Sequence, residues 1–476
     1  MLFSDLSFLY LFLPICLACY FLTKKNEYRN FVLIGFSLVF YAWGEPIWVF
    51  LLIFSSFVNY ILALLSEKHR ERSTGKACFI AALLFNIGLI CVFKYTDFFI
   101  ENINGVFGTD IKPTGITFPI GISFYSFQAI SYSIDVYWEK IKAQRSFHKL
   151  LLYLSLFPSV TTGPIIRYET IEDDIDNRKT TVTDMSEGFT RLIIGLAKKV
   201  LIANNLLLYV DTVFGKTGEG ASIVADATVV GSWVGIIAYS MYIYYDFSGY
   251  SDMAIGLARI FGFHFTENFN YPFMCRTISE FWQRWHISLG SFFRDYLLYI
   301  PIFGKRLPYV SLFLVWFSTG LWHGASWNYI LWGLYFGVFI LFEMKLGKKR
   351  IKNAPTFIMH IYNKLVIIVG FGIFRFTDMN DLGNFFKNLV GLGGNELINE
   401  ATVTDIKSYI FVIIAALIFV FPIIPLVKKL IEKRSLAIQA AAQLLATGSN
   451  VILLGVCTVV LVDTFLTNHP FLYVTF

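Results

Sequence analysis

Apolar runs of about 20 residues, the length a helix needs to cross a bilayer, recur along this chain from Leu6 to Leu466. The runs are continuous and lack the alternation of polar and apolar residues that a membrane β-barrel requires. Only 15% of the residues are charged, against about 25% in soluble domains. A soluble class is excluded, and the chain reads as an all-α polytopic membrane protein.

Basic residues fall in alternate loops. Lys24, Lys25 and Arg29 follow the first run; Lys68, Arg70, Arg72 and Lys76 follow the third; Lys140, Lys142, Arg145 and Lys149 follow the fifth. The intervening loop to Asp110 holds Asp97 and Glu101 and no base before Lys112. The positive-inside rule then puts loops 24–30, 66–76 and 139–149 in the cytoplasm and the N-terminus outside. The first run, Leu6 to Leu22, is followed by Lys24 and Lys25 and by no small-x-small cleavage site, so it reads as a retained helix. Further spans are expected near 31–43, 47–65, 77–95, 115–138, 188–210, 227–247, 309–323, 326–344, 361–376, 408–427 and 450–466. Together these give about 11–13 membrane segments in one integral-membrane domain over 1–476, with no internal repeat. Loop 165–186 mixes acids and bases, and its charge assigns it to neither side.

Composition also limits partners. Cys16 and Cys19 have CxxC spacing but lie in an apolar run with no histidine or carboxylate beside them. They read as packing residues, with no zinc site and no disulfide framework. The net charge of +6 sits in short loops between spans, which calls for membrane lipids and for no nucleic acid.

From Tyr245 to Phe303 the texture changes. Asp246, Asp252, Arg259, Glu267, Arg276, Glu280, Arg284, His286, Arg294 and Asp295 stand among many aromatic residues. Such a stretch is too polar for lipid, and short amphipathic or re-entrant helices buried in protein would satisfy it. Its segment Phe281-Trp282-Gln283-Arg284-Trp285-His286 suits a surface facing lipid headgroups or an anionic ligand.

His323 is the one ionisable residue of Leu314 to Trp327, within apolar sequence that extends from Tyr309 to Phe342. Ionisable groups at membrane depth are costly and usually functional. One reading is a buried histidine bonded to a neighbouring carbonyl. The other is a general base, since a neutral imidazole can take a proton from a hydroxyl nucleophile. His286, 37 residues earlier, is either structural or part of a site shared with His323, each histidine being flanked by tryptophan (Trp285 and Trp322). Asp246 orients a histidine, pairs with an arginine, or belongs to a structural ion pair. Gly163-Pro164 marks a helix end, and Arg167 after it is a candidate contact for an anionic donor. No HExxH pattern or other metal-ligand spacing is present, and no Gly-x-Ser-x-Gly elbow of a serine hydrolase. The tail 468–476 ends in Phe471-Leu472-Tyr473-Val474-Thr475-Phe476. That is either an interfacial aromatic belt or, being so apolar outside the membrane, a segment that docks in a cavity.

These stretches add up to a resemblance covering nearly the whole chain. Phe40-Tyr41-Ala42-Trp43-Gly44, Pro119 to Phe124, Gly163 to Tyr168, Tyr245 to Asp252, Glu280 to Ser288, Leu321-Trp322-His323-Gly324 and Pro470 to Phe476 are together similar to the bacterial membrane-bound O-acyltransferase (MBOAT) family. The similarity is to its alginate O-acetylation and peptidoglycan O-acetyltransferase A branch. The resemblance implies a ring of tilted helices around a central funnel in the cytoplasmic (inner) membrane of a bacterium. It implies that His323 is the essential histidine, His286 the second one, and Tyr473 an acyl carrier. Arg284, Trp285, Trp322, Asp246 and Arg167 then become candidate substrate contacts. Acetyl-CoA would be the donor, with no permanently bound cofactor and no metal. An extracytoplasmic SGNH-type acyltransferase would be the partner, and a cell-surface polysaccharide the final acceptor. Two rivals stand beside it: transfer of D-alanine or another acyl group from a carrier protein to teichoic acid, and a non-enzymatic transporter.

Overall fold

A computed structural model describes residues 1–216, 222–298, 307–463 and 471. Among these, helices alternate with short turns and no strand occurs. Seven helices are long and apolar enough to cross a membrane: Trp48–Lys68, Ser73–Phe107, Val182–Phe214, Trp327–Leu346, Thr356–Arg375, Glu400–Phe419 and Leu436–Asp463. The protein is therefore an all-α, multi-pass membrane protein.

The chain divides into two compact units. The first holds residues 1–192 and 251–267. Here α1 (Asn26–Gly44) packs against α2 (Trp48–Lys68), and α2 and α3 (Ser73–Ile90) pack against α4 (Ile122–Tyr137). Sequence hydropathy suggests a span over 115–138, but the helix begins only at Ile122, and every residue from Ile122 to Val136 is buried. It is a core helix sheathed by other helices, which explains how it tolerates Ser123, Ser126, Gln128, Ser131, Ser133 and Asp135. The side of loop 165–186 also becomes clear. Its helix α5 (Tyr168–Asn177) receives hydrogen bonds from Asn26 Nδ2 to the Asp176 carbonyl (2.7 Å) and from Asn30 Nδ2 to that of Ile175 (3.0 Å). Lys149 pairs with Asp176 at 2.7 Å. The loop thus lies on the same face as the basic loops 24–30 and 139–149.

The second unit holds 193–250 and the described residues of 268–471. Its elements are the end of α6 (Val182–Ala197), most of α7 (Val229–Ile260), the short helices α8 (Ile278–Arg284) and α9 (Ile287–Phe293), and α10 (Pro308–His323), α11 (Trp327–Leu346) and α12 (Thr356–Arg375). The polar stretch expected from Tyr245 is continuous helix up to Ile260; irregular structure with short helices starts only after it. Helix formation there is easily satisfied because the acids and bases of α7 find partners within the protein. Helices α10 and α11 form the expected hairpin through 324–326. Two glycines make its seam: a Cβ on Gly320 would lie 2.4 Å from the Tyr329 carbonyl oxygen, and one on Gly333 would lie 2.3 Å from that of Trp316. Small residues at such crossings let helix backbones approach where lipid gives no hydrophobic drive.

Candidate active site

The site begins with a helix start that leaves nothing unsatisfied. Thr277 caps α8, its Oγ1 accepting from the Glu280 amide at 3.0 Å, as a threonine before a helix with glutamate three residues on is expected to do. Glu343, near the end of α11 and buried, takes the next orphan donors. Its carboxylate accepts from the amides of Ile278 (2.6 Å) and Ser279 (2.9 Å) and from the Ser279 hydroxyl (2.6 Å). A carboxylate at a helix N-terminus also meets the positive end of the helix dipole. Helix α8 is thereby pinned to α11.

The pinned helix turns its aromatic residues inward. Trp285 is buried and stacks on Phe281 (centroids 5.3 Å apart) and against Phe371 of α12 (5.3 Å). Trp282 meets Trp316, Trp332 and Phe336 at 5.1, 5.4 and 4.9 Å. This corrects the expectation of an aromatic surface facing headgroups: the rings form core between α8 and the α10–α12 group. Arg284 keeps partial exposure and is held by Glu280 at 2.6 Å.

His286 follows at the break between α8 and α9. Its backbone is left-handed, φ 44°, a conformation uncommon for a residue with a side chain and often found where function constrains the chain. The Asn268 amide oxygen lies 3.1 Å from His286 Nδ1 and also accepts from the Ser288 amide (3.2 Å) and hydroxyl (2.9 Å). The Ser288 amide is a donor in any state, so the group facing it is the Asn268 oxygen. His286 Nδ1 must then carry the hydrogen, which leaves the lone pair of the neutral ring on Nε2. Burial alone pushes the His286 pKa down, to about 3, so the neutral ring is the one present near pH 7.

His323 ends α10 at the turn of the hairpin and is 3% exposed. Its ring is walled by Trp332 (4.7 Å), Phe374 (5.1 Å) and Trp322 (4.7 Å). Trp322 in turn lies 5.6 Å from His286, whose other side faces Phe247 at 4.6 Å. Both histidine rings thus contact the same indole. Sequence spacing left open whether they share a site, and the structure brings them together.

The other candidates fall as follows. Asp246 pairs with Lys199, Nζ to Oδ1 2.6 Å, both fully buried: the structure shows it in an ion pair, with a lysine as the partner. Arg167 precedes α5 in the first unit and is half-buried. Tyr473 lies outside the described residues, whereas Phe471 is described and buried. Among the described residues no group of three or more histidine, cysteine or acidic side chains is placed to hold a metal ion. Sequence reasoning missed Asn268, Glu343 and Lys199. For Lys199 and Glu343 the signal was present: each is an ionisable residue in an apolar run, the criterion that picked out His323. Asn268 gave none, since only folding brings it to His286.

The family MBOAT, membrane-bound O-acyltransferase family, matches residues 140–380, a stretch that includes both histidines. The chain is 35% identical over 432 residues to the probable alginate O-acetylase of Pseudomonas syringae, covering 88% of this chain and 82% of that one. It is 30% identical over 435 residues to the peptidoglycan O-acetyltransferase of Helicobacter pylori, covering 83% and 81%. A teichoic acid D-alanyltransferase of Bacillus subtilis is 29% identical over 233 residues, covering 46% and 57%.

Proposed function

This chain belongs to the membrane-bound O-acyltransferase family and is an acyltransferase, and we propose that it moves acetyl groups from cytoplasmic acetyl-CoA to the outer face of a bacterial inner membrane for O-acetylation of a cell-surface polysaccharide. The observation that carries this reading is the pair His286–His323, both buried and both with their rings against Trp322.

The reaction is an exchange of esters. The acceptor oxygen, in this reading the Tyr473 phenol, attacks the thioester carbonyl carbon of acetyl-CoA. The C–O bond forms and the C–S bond breaks. His323 takes the phenol proton and returns it to the departing sulfur, giving CoA thiol and an acetylated tyrosine. Proton management of this kind supplies about 10²–10⁴-fold in rate; positioning of the two reactants supplies more. His286 has its donor nitrogen engaged by Asn268, so its Nε2 lone pair is the atom with which it orients an incoming hydroxyl. A phenyl ester is more reactive than an alkyl ester, so onward transfer to a sugar hydroxyl by an SGNH-type partner is downhill. Support for a polysaccharide acceptor comes from the two acetylating relatives, each matched over most of its length.

Release of CoA thiol tests the donor and the base together. Purified protein in detergent should liberate thiol from acetyl-CoA, and His323→Ala should lower that rate by about 10²-fold or more while eluting as folded protein. Equal rates in the two proteins would overturn the role of His323. Thiol release from a D-alanyl carrier protein but not from acetyl-CoA would overturn the donor.

A further inference from the structure

Helix α7 carries Asp246 about midway along its length, fully buried, where a charge is costly unless it is paired. Its partner is Lys199, on the π-helical turn Lys198–Ala203 that follows α6. Such turns concentrate at functional sites. The two segments touch closely: a Cβ on Gly249 would lie 2.8 Å from the Gly195 carbonyl oxygen and 3.2 Å from Lys198 Cβ. That approach is what lets Lys199 Nζ reach Asp246 Oδ1 at 2.6 Å.

A buried ion pair is weak support for stability, because desolvation offsets most of the attraction. This one has a further neighbour. The ring of Phe471, 1% exposed, stands 4.5 Å from Lys199 Nζ, the arrangement of a cation on an aromatic face, which strengthens away from water. Tyr250, one turn beyond Asp246, closes edge-on against the same ring, centroids 5.0 Å apart at 85°. Phe471 is separated by more than 200 residues of sequence from every one of these groups. Phe471 therefore stands against the middle of α7, in a socket of matching chemistry.

We propose that Lys199, Asp246 and Tyr250 form a docking socket for Phe471, which fixes the register of the C-terminal tail. Asp246 holds the lysine in place, the lysine faces the ring, and Tyr250 sets its orientation. The consequence for transfer rests on the proposed carrier role of Tyr473. Two residues of chain span at most about 7 Å, so an anchor at Phe471 limits where the acceptor hydroxyl can be carried. These are positioning residues; none of them reacts.

The test uses the full chain in detergent, trimmed by carboxypeptidase and followed by intact mass. Trimming should stall at residue 471 in the wild type and in Phe471→Trp, which keeps an aromatic face. It should pass that position about 10-fold faster or more, the factor that loss of one desolvated cation–π contact gives, in two variants. One is Phe471→Leu, which keeps apolar volume. The other is the double variant Lys199→Met with Asp246→Asn, which removes the cation without stranding a buried charge. Equal trimming in all four proteins overturns the socket. Acetyl label on residue 473 should fall about 10-fold in Phe471→Leu at unchanged KM for acetyl-CoA, and return in Phe471→Trp. The two readings separate cleanly: the expected trimming pattern with no label on Tyr473 in the wild type removes the carrier and leaves the socket, whereas label with unrestrained trimming does the reverse.

Discussion

His286 combines a left-handed backbone, a fixed tautomer and full burial, and each has a measurable consequence. Its pKa in the folded protein, about 3, lies below the ordinary value of about 6.5. The unfolded chain therefore binds a proton that the folded one does not between those values, and stability is complete above about pH 6.5 and declines as pH falls toward 3. Thermal unfolding in detergent should show Tm falling from pH 7 to pH 5. The fall should be smaller in His286→Asn, which suits the left-handed backbone and does not titrate. An identical fall in both would place the acid sensitivity elsewhere. At this scale the histidines themselves were legible in the sequence, because an ionisable residue in apolar context announces its cost. Their mutual placement was not, because both rings meet Trp322 only when α9 and α10 are folded together. The lysine partner of Asp246 was not legible for a related reason: Lys199 lies 47 residues away, and nothing local distinguishes a lysine partner from an arginine.

Helices α10 and α11 are held by contact between backbones, and α8 by one carboxylate, so both are sensitive to small changes. Gly320→Ala or Gly333→Ala would drive a methyl group into a carbonyl oxygen at under 2.5 Å and force the hairpin apart. A cost of about 1–3 kcal/mol should appear as a lower Tm, with thiol release falling because His323 sits at the hairpin turn. Glu343→Ala would strip partners from the amides of Ile278 and Ser279, at about 1–3 kcal/mol. The same variant should slow thiol release by loosening the helix that leads into His286, and an unchanged Tm would show that those amides find water. Hydropathy located most long helices well, for example 326–344 against Trp327–Leu346 and 361–376 against Thr356–Arg375. It failed where apolar composition reflects burial in protein instead of contact with lipid. Residues 115–138 are such a case, resolving into the sheathed helix Ile122–Tyr137. It failed in the opposite way at 245–260, where partners within the protein let a polar sequence continue α7.

For the whole molecule, membership in the family and the all-α membrane architecture agree with what apolar length and charge alternation require. Loop charge assigned sides to most loops, and contacts with Asn26, Asn30 and Lys149 assigned 165–186, whose own mixed charge could not. The account's central claim is that an acetyl group passes from acetyl-CoA, by way of the His286–His323 site, to the tail of the same chain. The most direct measurement is to supply isotopically labelled acetyl-CoA to the purified full chain and locate the label by peptide mass spectrometry. The account predicts label on Tyr473 in the wild type and none in His323→Ala or Tyr473→Phe. Undiminished labelling of the chain in Tyr473→Phe, or labelling of Tyr473 that persists in His323→Ala, would contradict it.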